Sequence, residues 1–258
     1  MLGKTHLLLA ALLYLPLAYG FADQGIATPL AAGLFLFGTL LGVLLPDSDA
    51  VDSRMLHRQK TGLLGSYARV DSRTASTPFQ LVGYATRYLF YEPIALVLRM
   101  AGHHEAARHR GLMHSLAGIV LATGFWGVIF YALAYFNYLG TGVTAFILAG
   151  MFAGALLHLY HDSLTPSGVN WLFPYSGAVH GRIRSVGKSL HGSTKFHQSQ
   201  HFVVALFTIV AMAITWLAVI GRANPFFLAF LSAFALLLVA FACGMEKPES
   251  KGFLEWRE

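Results

Sequence analysis

The stretch ALLHLYHDSLTPSG, residues 155–168, closes an apolar run that is long enough to cross a bilayer. His158 and Asp162 are four residues apart, so on a continuing helix they project from one side and can reach a shared ion. His161, three residues after His158, can join them. Pro166 then disfavours helix at the residue before it. The stretch therefore predicts a membrane helix that ends in candidate metal ligands.

The composition of the whole chain agrees with a membrane protein. Of 258 residues, 56% are hydrophobic and 12% are charged, whereas soluble domains carry roughly a quarter charged residues. Cys243 is the single cysteine, which excludes a disulfide framework and argues against a thiolate metal site. No internal repeat or low-complexity tract indicates a solenoid or a disordered arm. We therefore expect one integral membrane domain over residues 1–258.

Six apolar stretches predict the fold class. Each could cross about 30 Å of hydrocarbon as a helix. They cover residues 7–21, 29–45, 116–136, 143–160, 202–220 and 225–243. The sequence therefore predicts an all-α, polytopic membrane bundle of about six transmembrane helices.

The distribution of basic residues predicts the orientation of this bundle. With the amino terminus inside, the cytoplasmic segments are 1–6, 46–115, 161–201 and 244–258. Seventeen of the 18 lysines and arginines then lie inside, and Arg222 lies outside. The positive-inside rule thus places both termini in the cytoplasm. The net charge of +6 then indicates anionic phospholipids as partners, and no nucleic acid.

One further apolar segment, residues 79–100, differs from the six spans. It contains Arg87, Glu92 and Arg99 and is interrupted by Pro93. A charge near the middle of a bilayer costs about 2.5–3.5 kcal/mol. We therefore expect a helix that lies in the membrane interface with its charges facing water; a seventh span or a re-entrant helix is the alternative.

Ionisable residues recur at the predicted span ends on the cytoplasmic face. They are His6, Asp47, Asp49, His109, His114, His158 and Asp162. A single histidine there is more often an interfacial residue than a ligand, and an aspartate after Pro46 is an ordinary helix cap. Four helix ends that carry imidazole or carboxylate groups at the cytoplasmic face of the membrane instead predict one shared metal site. We expect the active site at that face.

Four sequence blocks carry a family resemblance. They are GKTHLLLA (3–10), LLPDSD (44–49), HRGLMHS (109–115) and GALLHLYHDSLTPSGVNWLFP (154–174). Together they resemble the YdjM-like family of inner-membrane metal-dependent hydrolases. The chain departs from that pattern at Ala50, where the family often has histidine, and at Met113, where it has threonine. The first departure leaves room for Asp52 to substitute.

The resemblance implies a set of site residues and a location. It implies metal ligands among His6, Asp47, Asp49, His109, His114, His158 and Asp162. It places Arg110 and Thr165 in supporting catalytic positions, and it implies a bacterial or archaeal inner membrane. The family is also distantly similar to zinc phospholipases C, which implies a phosphoester substrate by analogy only.

These observations lead to a functional hypothesis. Seven nitrogen and oxygen ligands exceed the shell of one catalytic zinc ion, so we expect two or more divalent ions, zinc first and manganese or magnesium as alternatives. We expect a membrane-embedded hydrolase that cleaves a lipid-borne phosphoester with metal-activated water. Arg110 would clamp phosphate, or would act only as a membrane anchor. A metal-ion or metabolite transporter and a non-catalytic scaffold with a structural metal site are the alternatives.

The 161–201 loop is rich in histidine and basic residues. His197 and His201 are four residues apart and could form another ligand pair, or the loop could be solvated and touch anionic lipid. No sequence feature indicates an oligomeric state.

Overall fold

The computed structural model describes residues 3–49, 78–104, 110–173, 177–184, 199–219 and 225–245. Within these ranges the chain is helical and forms no strand beyond isolated bridges. The α-helices are α1 (Gly3–Asp23), α2 (Pro29–Gly42), α3 (Pro78–Ala85), α4 (Glu92–Met100), α5 (Leu116–Tyr135), α6 (Thr141–Ser163), α7 (Gln200–Val219) and α8 (Pro225–Ala242). Short 3-10 helices cover Pro46–Asp49 and Leu112–His114, and a π-helix covers Thr86–Tyr91.

Within the described residues, five segments are long and apolar enough to cross a membrane. They are Thr5–Asp23, Pro29–Asp49, Leu116–Tyr135, Thr141–Ser163 and Gln200–Ala218. The sixth predicted stretch forms α8, whose apolar part, Phe227–Ala242, is shorter. The prediction of an all-helical membrane protein is confirmed, and a count of six spans stays a prediction.

Glycines bring α2 and α6 into close contact. A Cβ atom at Gly38 would overlap the carbonyl oxygen of Ile147, and one at Gly42 would overlap that of Met151. Gly154 on α6 meets the backbone of α2 in the same way. Small residues of this kind let helix backbones approach each other. Because later residues of α2 contact later residues of α6, the helices are parallel and their carboxyl ends lie together.

Helix α1 brings its amino end to the same place. The hydroxyl of Thr5 donates a hydrogen bond to Oε1 of Gln200, 3.3 Å away, at the start of α7. The next residue, His6, stacks on His158 near the end of α6, with ring centroids 4.1 Å apart. The ends of α1, α2, α6 and α7 therefore meet at one end of the bundle.

The segment 78–100 is helical throughout, as predicted, and α3 and α4 join through the π-helix. The expectation that its charges face water is wrong for Arg87, whose side chain is 11% exposed. Its guanidinium instead donates to the backbone carbonyl of Asp49 and to the carboxylate of Glu92. These acceptors compensate the buried charge. The interfacial position of the segment stays a prediction.

A turn after α6 closes the site end of that helix. Helix α6 ends at Ser163, and Gly168 adopts a positive φ of 61°. A Cβ atom at Gly168 would lie 2.5 Å from the carbonyl oxygen of Val179, so glycine suits this position both in conformation and in space. The chain then returns beneath the helix end, where the amide of Ile183 donates to the carbonyl of Leu164.

Candidate metal centre

The structure brings together six of the seven predicted ligands. His6 comes from α1, Asp47 and Asp49 from the 3-10 turn Pro46–Asp49 after α2, His114 from the 3-10 turn before α5, and His158 and Asp162 from the last turns of α6. All but Asp47 are buried, and the Asp47 side chain is 22% exposed. The seventh residue, His109, lies outside the described residues.

Asp47, His114 and His158 form the first candidate group. Oδ1 of Asp47 lies 3.6 Å from Nε2 of His114 and 3.6 Å from Nε2 of His158. One ligand atom from each of the three residues lies within 4.8 Å of the others. The three residues come from three different segments, so the group exists only in the folded chain.

His6, His158 and Asp162 form the second candidate group. Nε2 of His6 lies 3.3 Å from Oδ1 of Asp162, and Nε2 of His158 lies 3.6 Å from Oδ2 of the same carboxylate. Nε2 of His114 lies 3.8 Å from that Oδ2. The two groups therefore share His158, and Asp162 presents one oxygen to His6 and the other to His114 and His158.

These separations fit ligands around an ion. N–H···O hydrogen bonds are about 2.7–3.2 Å long, whereas the imidazole–carboxylate separations in the two groups are 3.3–3.8 Å. Around a tetrahedral zinc ion with bonds of about 2.0–2.1 Å, neighbouring ligand atoms are about 3.3–3.4 Å apart. The donor set of imidazole nitrogens and carboxylate oxygens is also one that zinc accepts. The described residues could thus hold a metal ion.

His158 is oriented by a backbone contact. Its Nδ1 donates a hydrogen bond to the carbonyl oxygen of Val43, 2.6 Å away, at the end of α2. This bond fixes the proton on Nδ1 and leaves the lone pair of Nε2 available. That Nε2 is buried and has no hydrogen-bond partner within the described ranges. Histidine ligands in metal sites are oriented in the same way.

His161 contacts His6 and lies outside both groups. The two Nδ1 atoms are 3.3 Å apart, and the His161 ring meets that of Phe207 edge-on at 5.5 Å. If His6 coordinates through Nε2, its proton is on Nδ1, so Nδ1 of His161 must accept the hydrogen bond. His161 is therefore placed to orient His6.

Asp49 contacts the far side of His114. Its Oδ2 lies 3.5 Å from Nδ1 of His114, whereas Nε2 of that ring faces Asp47. The structure thus places Asp49 behind a candidate ligand and in neither group. Burial lowers the pKa of His114, but the carboxylates of Asp49 and Asp47 outweigh it and raise that pKa to about 10. The pocket therefore strongly favours a cation at this position.

Arg110 and Thr165 border the centre on its more exposed side. Nη2 of Arg110 lies 3.2 Å from Oδ2 of Asp162, and Nη1 donates to the hydroxyl of Ser167. The Thr165 hydroxyl donates to the Asp162 backbone carbonyl at 2.6 Å and lies 3.0 Å from the Ser167 hydroxyl. Arg110 has a positive φ of 68°, which is uncommon outside glycine and often found at functional sites.

Sequence reasoning missed Ser167 as a polar neighbour of the centre. Its signal was its place in the TPSG turn directly after the ligand-bearing helix. The predicted pair of His197 and His201 stays a prediction, because His197 lies outside the described residues and His201 is exposed.

A model of a known protein family matches nearly the whole chain. This family model, described as YdjM inner membrane protein, matches residues 1–247. No curated protein and no solved structure matches the chain significantly. The match spans all four sequence blocks and both candidate metal groups. The chain therefore belongs to the YdjM inner membrane protein family.

Proposed function

We propose that this membrane protein is a metal-dependent hydrolase, and that its substrate is a lipid-borne phosphoester. The observation that carries the proposal is the buried pair of His/Asp groups that share His158. The two groups bring three imidazoles and two carboxylates to the ends of apolar helices, and moving such polar groups out of water is costly. A bound cation would offset part of that cost.

The shared residues limit how ions can be arranged. Nε2 of His158 has one lone pair, so it can serve one ion. The carboxylate of Asp162 has two oxygens that face different partners, so Asp162 is the residue placed to bridge two ions. Three imidazoles among the donors favour zinc over manganese or magnesium, which prefer oxygen ligands. We therefore propose zinc, which His6, Asp47, His114, His158 and Asp162 would hold.

The side chains around the pocket have separate roles in this proposal. A bound metal ion would supply an activated water and a Lewis acid. The guanidinium of Arg110, 26% exposed, is placed to hold a phosphoryl oxygen, and the Ser167 hydroxyl would orient that guanidinium. Asp49 would orient the His114 ring, and the Val43 carbonyl would orient the His158 ring. The chain thus supplies binding and orientation, and no serine or cysteine nucleophile is needed.

The location of the two groups supports a lipid as the substrate. Every candidate ligand lies at or next to an end of an apolar helix that is long enough to cross a membrane. A substrate that is itself anchored in the bilayer can present its ester at that depth without leaving the membrane. A water-soluble phosphoester has no such advantage.

Metal content and turnover measured on one preparation test the proposal. The protein would be purified into nanodiscs, and its metals counted by mass spectrometry. It would then be assayed on a phosphatidic acid, a phosphatidylglycerol and a carboxylic ester lipid, before and after chelation and zinc re-addition. We expect zinc-dependent release of the phosphorus-containing product. Bound metal without turnover on any of these lipids would favour the structural-site alternative.

A further inference from the structure

Arg87 joins the segment 78–100 to the turn that carries two aspartates. Its Nη1 donates to the backbone carbonyl of Asp49 at 3.1 Å and to that of Ser48 at 3.4 Å. Its Nη2 donates to Oε1 of Glu92 at 3.0 Å. The Arg87 guanidinium therefore donates to two carbonyls at the end of the 3-10 turn Pro46–Asp49. The carboxylate of Glu92, on the same segment as Arg87, orients this guanidinium.

Arg87 lies at the start of a π-helix. It is the second residue of Thr86–Tyr91, and π-helical insertions inside α-helices are frequent at functional sites. The insertion is anchored at its start, since the Thr86 hydroxyl donates to the Val82 carbonyl at 2.7 Å and accepts from Nε1 of Trp126 at 2.9 Å. Arg87 thus extends from a backbone that is fixed against α5.

Charge explains why an arginine is needed behind the turn. The carbonyl end of a helix carries partial negative charge, and Asp47 and Asp49 add two carboxylates to the same four residues. The guanidinium binds the backbone carbonyls, so the Oδ1 of Asp47 is left to face His114 and His158. The cation therefore offsets the negative turn without competing for the ligand atom.

From these contacts we infer that Arg87 is a positioning residue of the metal centre. It holds the turn Pro46–Asp49 in the register that brings Asp47 to the first candidate group and Asp49 to the back of His114. The inference rests on the proposed metal binding, but it does not depend on which reaction the centre catalyses.

The test compares Arg87→Ala and Arg87→Lys with the parent protein in nanodiscs. Arg99→Ala is the matched control, because Arg99 is an exposed arginine on the same segment. Zinc affinity is measured by competition with a chelator, and the absorption of the cobalt-substituted protein reports the ligand geometry. Outer partners of ligands typically contribute about 10–100-fold in affinity, so we expect a loss in that range for Arg87→Ala together with a changed cobalt spectrum.

Arg87→Lys should recover part of the affinity. An ammonium can donate to the turn carbonyls, but it lacks the planar fork that also reaches Glu92. Arg99→Ala should bind zinc like the parent. If Arg87→Ala does not fold, Glu92→Gln takes its place, because it loosens Arg87 without touching the turn; a several-fold loss of affinity is then expected.

Two results would overturn the inference. The first is parent-like zinc affinity and cobalt absorption in folded Arg87→Ala, or in Glu92→Gln if that variant is used. The second is an equal loss in Arg99→Ala, which would indicate a general effect of charge on the segment. A parent that binds metal and depends on Arg87 but hydrolyses no lipid would reject the proposed function and leave this inference standing.

Discussion

His158 donates its Nδ1 hydrogen to the carbonyl oxygen of Val43, 2.6 Å away. Val43 follows α2 directly and His158 lies in α6, so the bond joins the carboxyl ends of two parallel helices. The same bond leaves Nε2 to face Asp47 and Asp162. One contact therefore links the packing of the two helices to the direction of a candidate ligand.

Asp162 should be required for metal binding and not for insertion. Asp162→Ala removes both oxygens that face His6 and His158 but deletes no apolar layer, so the protein should still fold in the membrane. We expect loss of lipid hydrolysis and a clear fall in bound metal by mass spectrometry. His201→Ala, at an exposed histidine, is the control. Equal metal content and turnover in Asp162→Ala and the parent would reject the assignment.

Close packing of α2 and α6 should depend on glycine. A Cβ atom at Gly154 would overlap the carbonyl oxygen of Thr39, so Gly154→Val must push the helices apart. Overpacking of this kind typically costs about 1–3 kcal/mol, and we expect a lower melting temperature and weaker zinc binding. Gly33→Ala on α2 is the control, because nothing lies within 4 Å of its added methyl. A melting temperature unchanged by Gly154→Val would contradict this packing.

His161 should act through His6. His161→Leu removes the acceptor for Nδ1 of His6, so the ligand ring loses its orientation and zinc affinity should fall about 10–100-fold. His161→Asn can retain an acceptor near that position and should lose less. Competition with a chelator measures the zinc affinity of both variants. If the leucine and asparagine variants bind zinc equally well, the hydrogen bond between His161 and His6 does not determine zinc affinity.

Zinc affinity should rise with pH. The carboxylates of Asp49 and Asp47 raise the pKa of His114 to about 10, so in the metal-free protein this ring carries a proton at neutral pH. Binding must displace that proton, and affinity therefore increases between pH 6 and 8. Asp49→Asn removes one of the charges that raise the pKa of His114, so its zinc affinity should level off at a lower pH than that of the parent. Affinities that level off at the same pH in Asp49→Asn and the parent would exclude this role of Asp49.

The predicted orientation can be checked by labelling. Single cysteines introduced near Lys188 and Lys251, which lie outside the described residues, should react with a membrane-impermeant maleimide only after the membrane is opened. The native Cys243 is buried, so it contributes little background, and Cys243→Ala removes it altogether. Labelling of either position in intact cells would place that segment outside and refute the prediction.

Much of the candidate site could be predicted from the sequence because topology orders it. Once apolar stretches define helix ends, His6, Asp47 and His158 fall at one depth, and the structure brings them into contact. The role of Asp49 could not be predicted this way, since a carboxylate that binds an ion and one that orients a histidine have the same sequence context.

Arg87 shows a second limit of sequence reasoning. Its place in an apolar segment predicts a charge that faces water, but its guanidinium donates to the carbonyls of Ser48 and Asp49 in the turn Pro46–Asp49. These are tertiary relationships between residues about 40 positions apart. The glycines of α2 and α6 could be predicted only in part. Their four-residue spacing, Gly38 to Gly42 and Gly150 to Gly154, is visible in the sequence, but the sequence does not show that these two helices pack against each other.

The candidate centre also imposes an order on biosynthesis. The residues of its two groups are distributed from His6 to Asp162, so a growing chain presents two histidines and one aspartate, His6, His114 and Asp47, before α6 leaves the ribosome. Until then α2 lacks the partner that its glycines fit, and the Val43 carbonyl lacks the imidazole that it accepts from. A metal ion held by both groups would therefore be bound only after insertion of α6, and the polar groups of the nascent protein would need shielding until then.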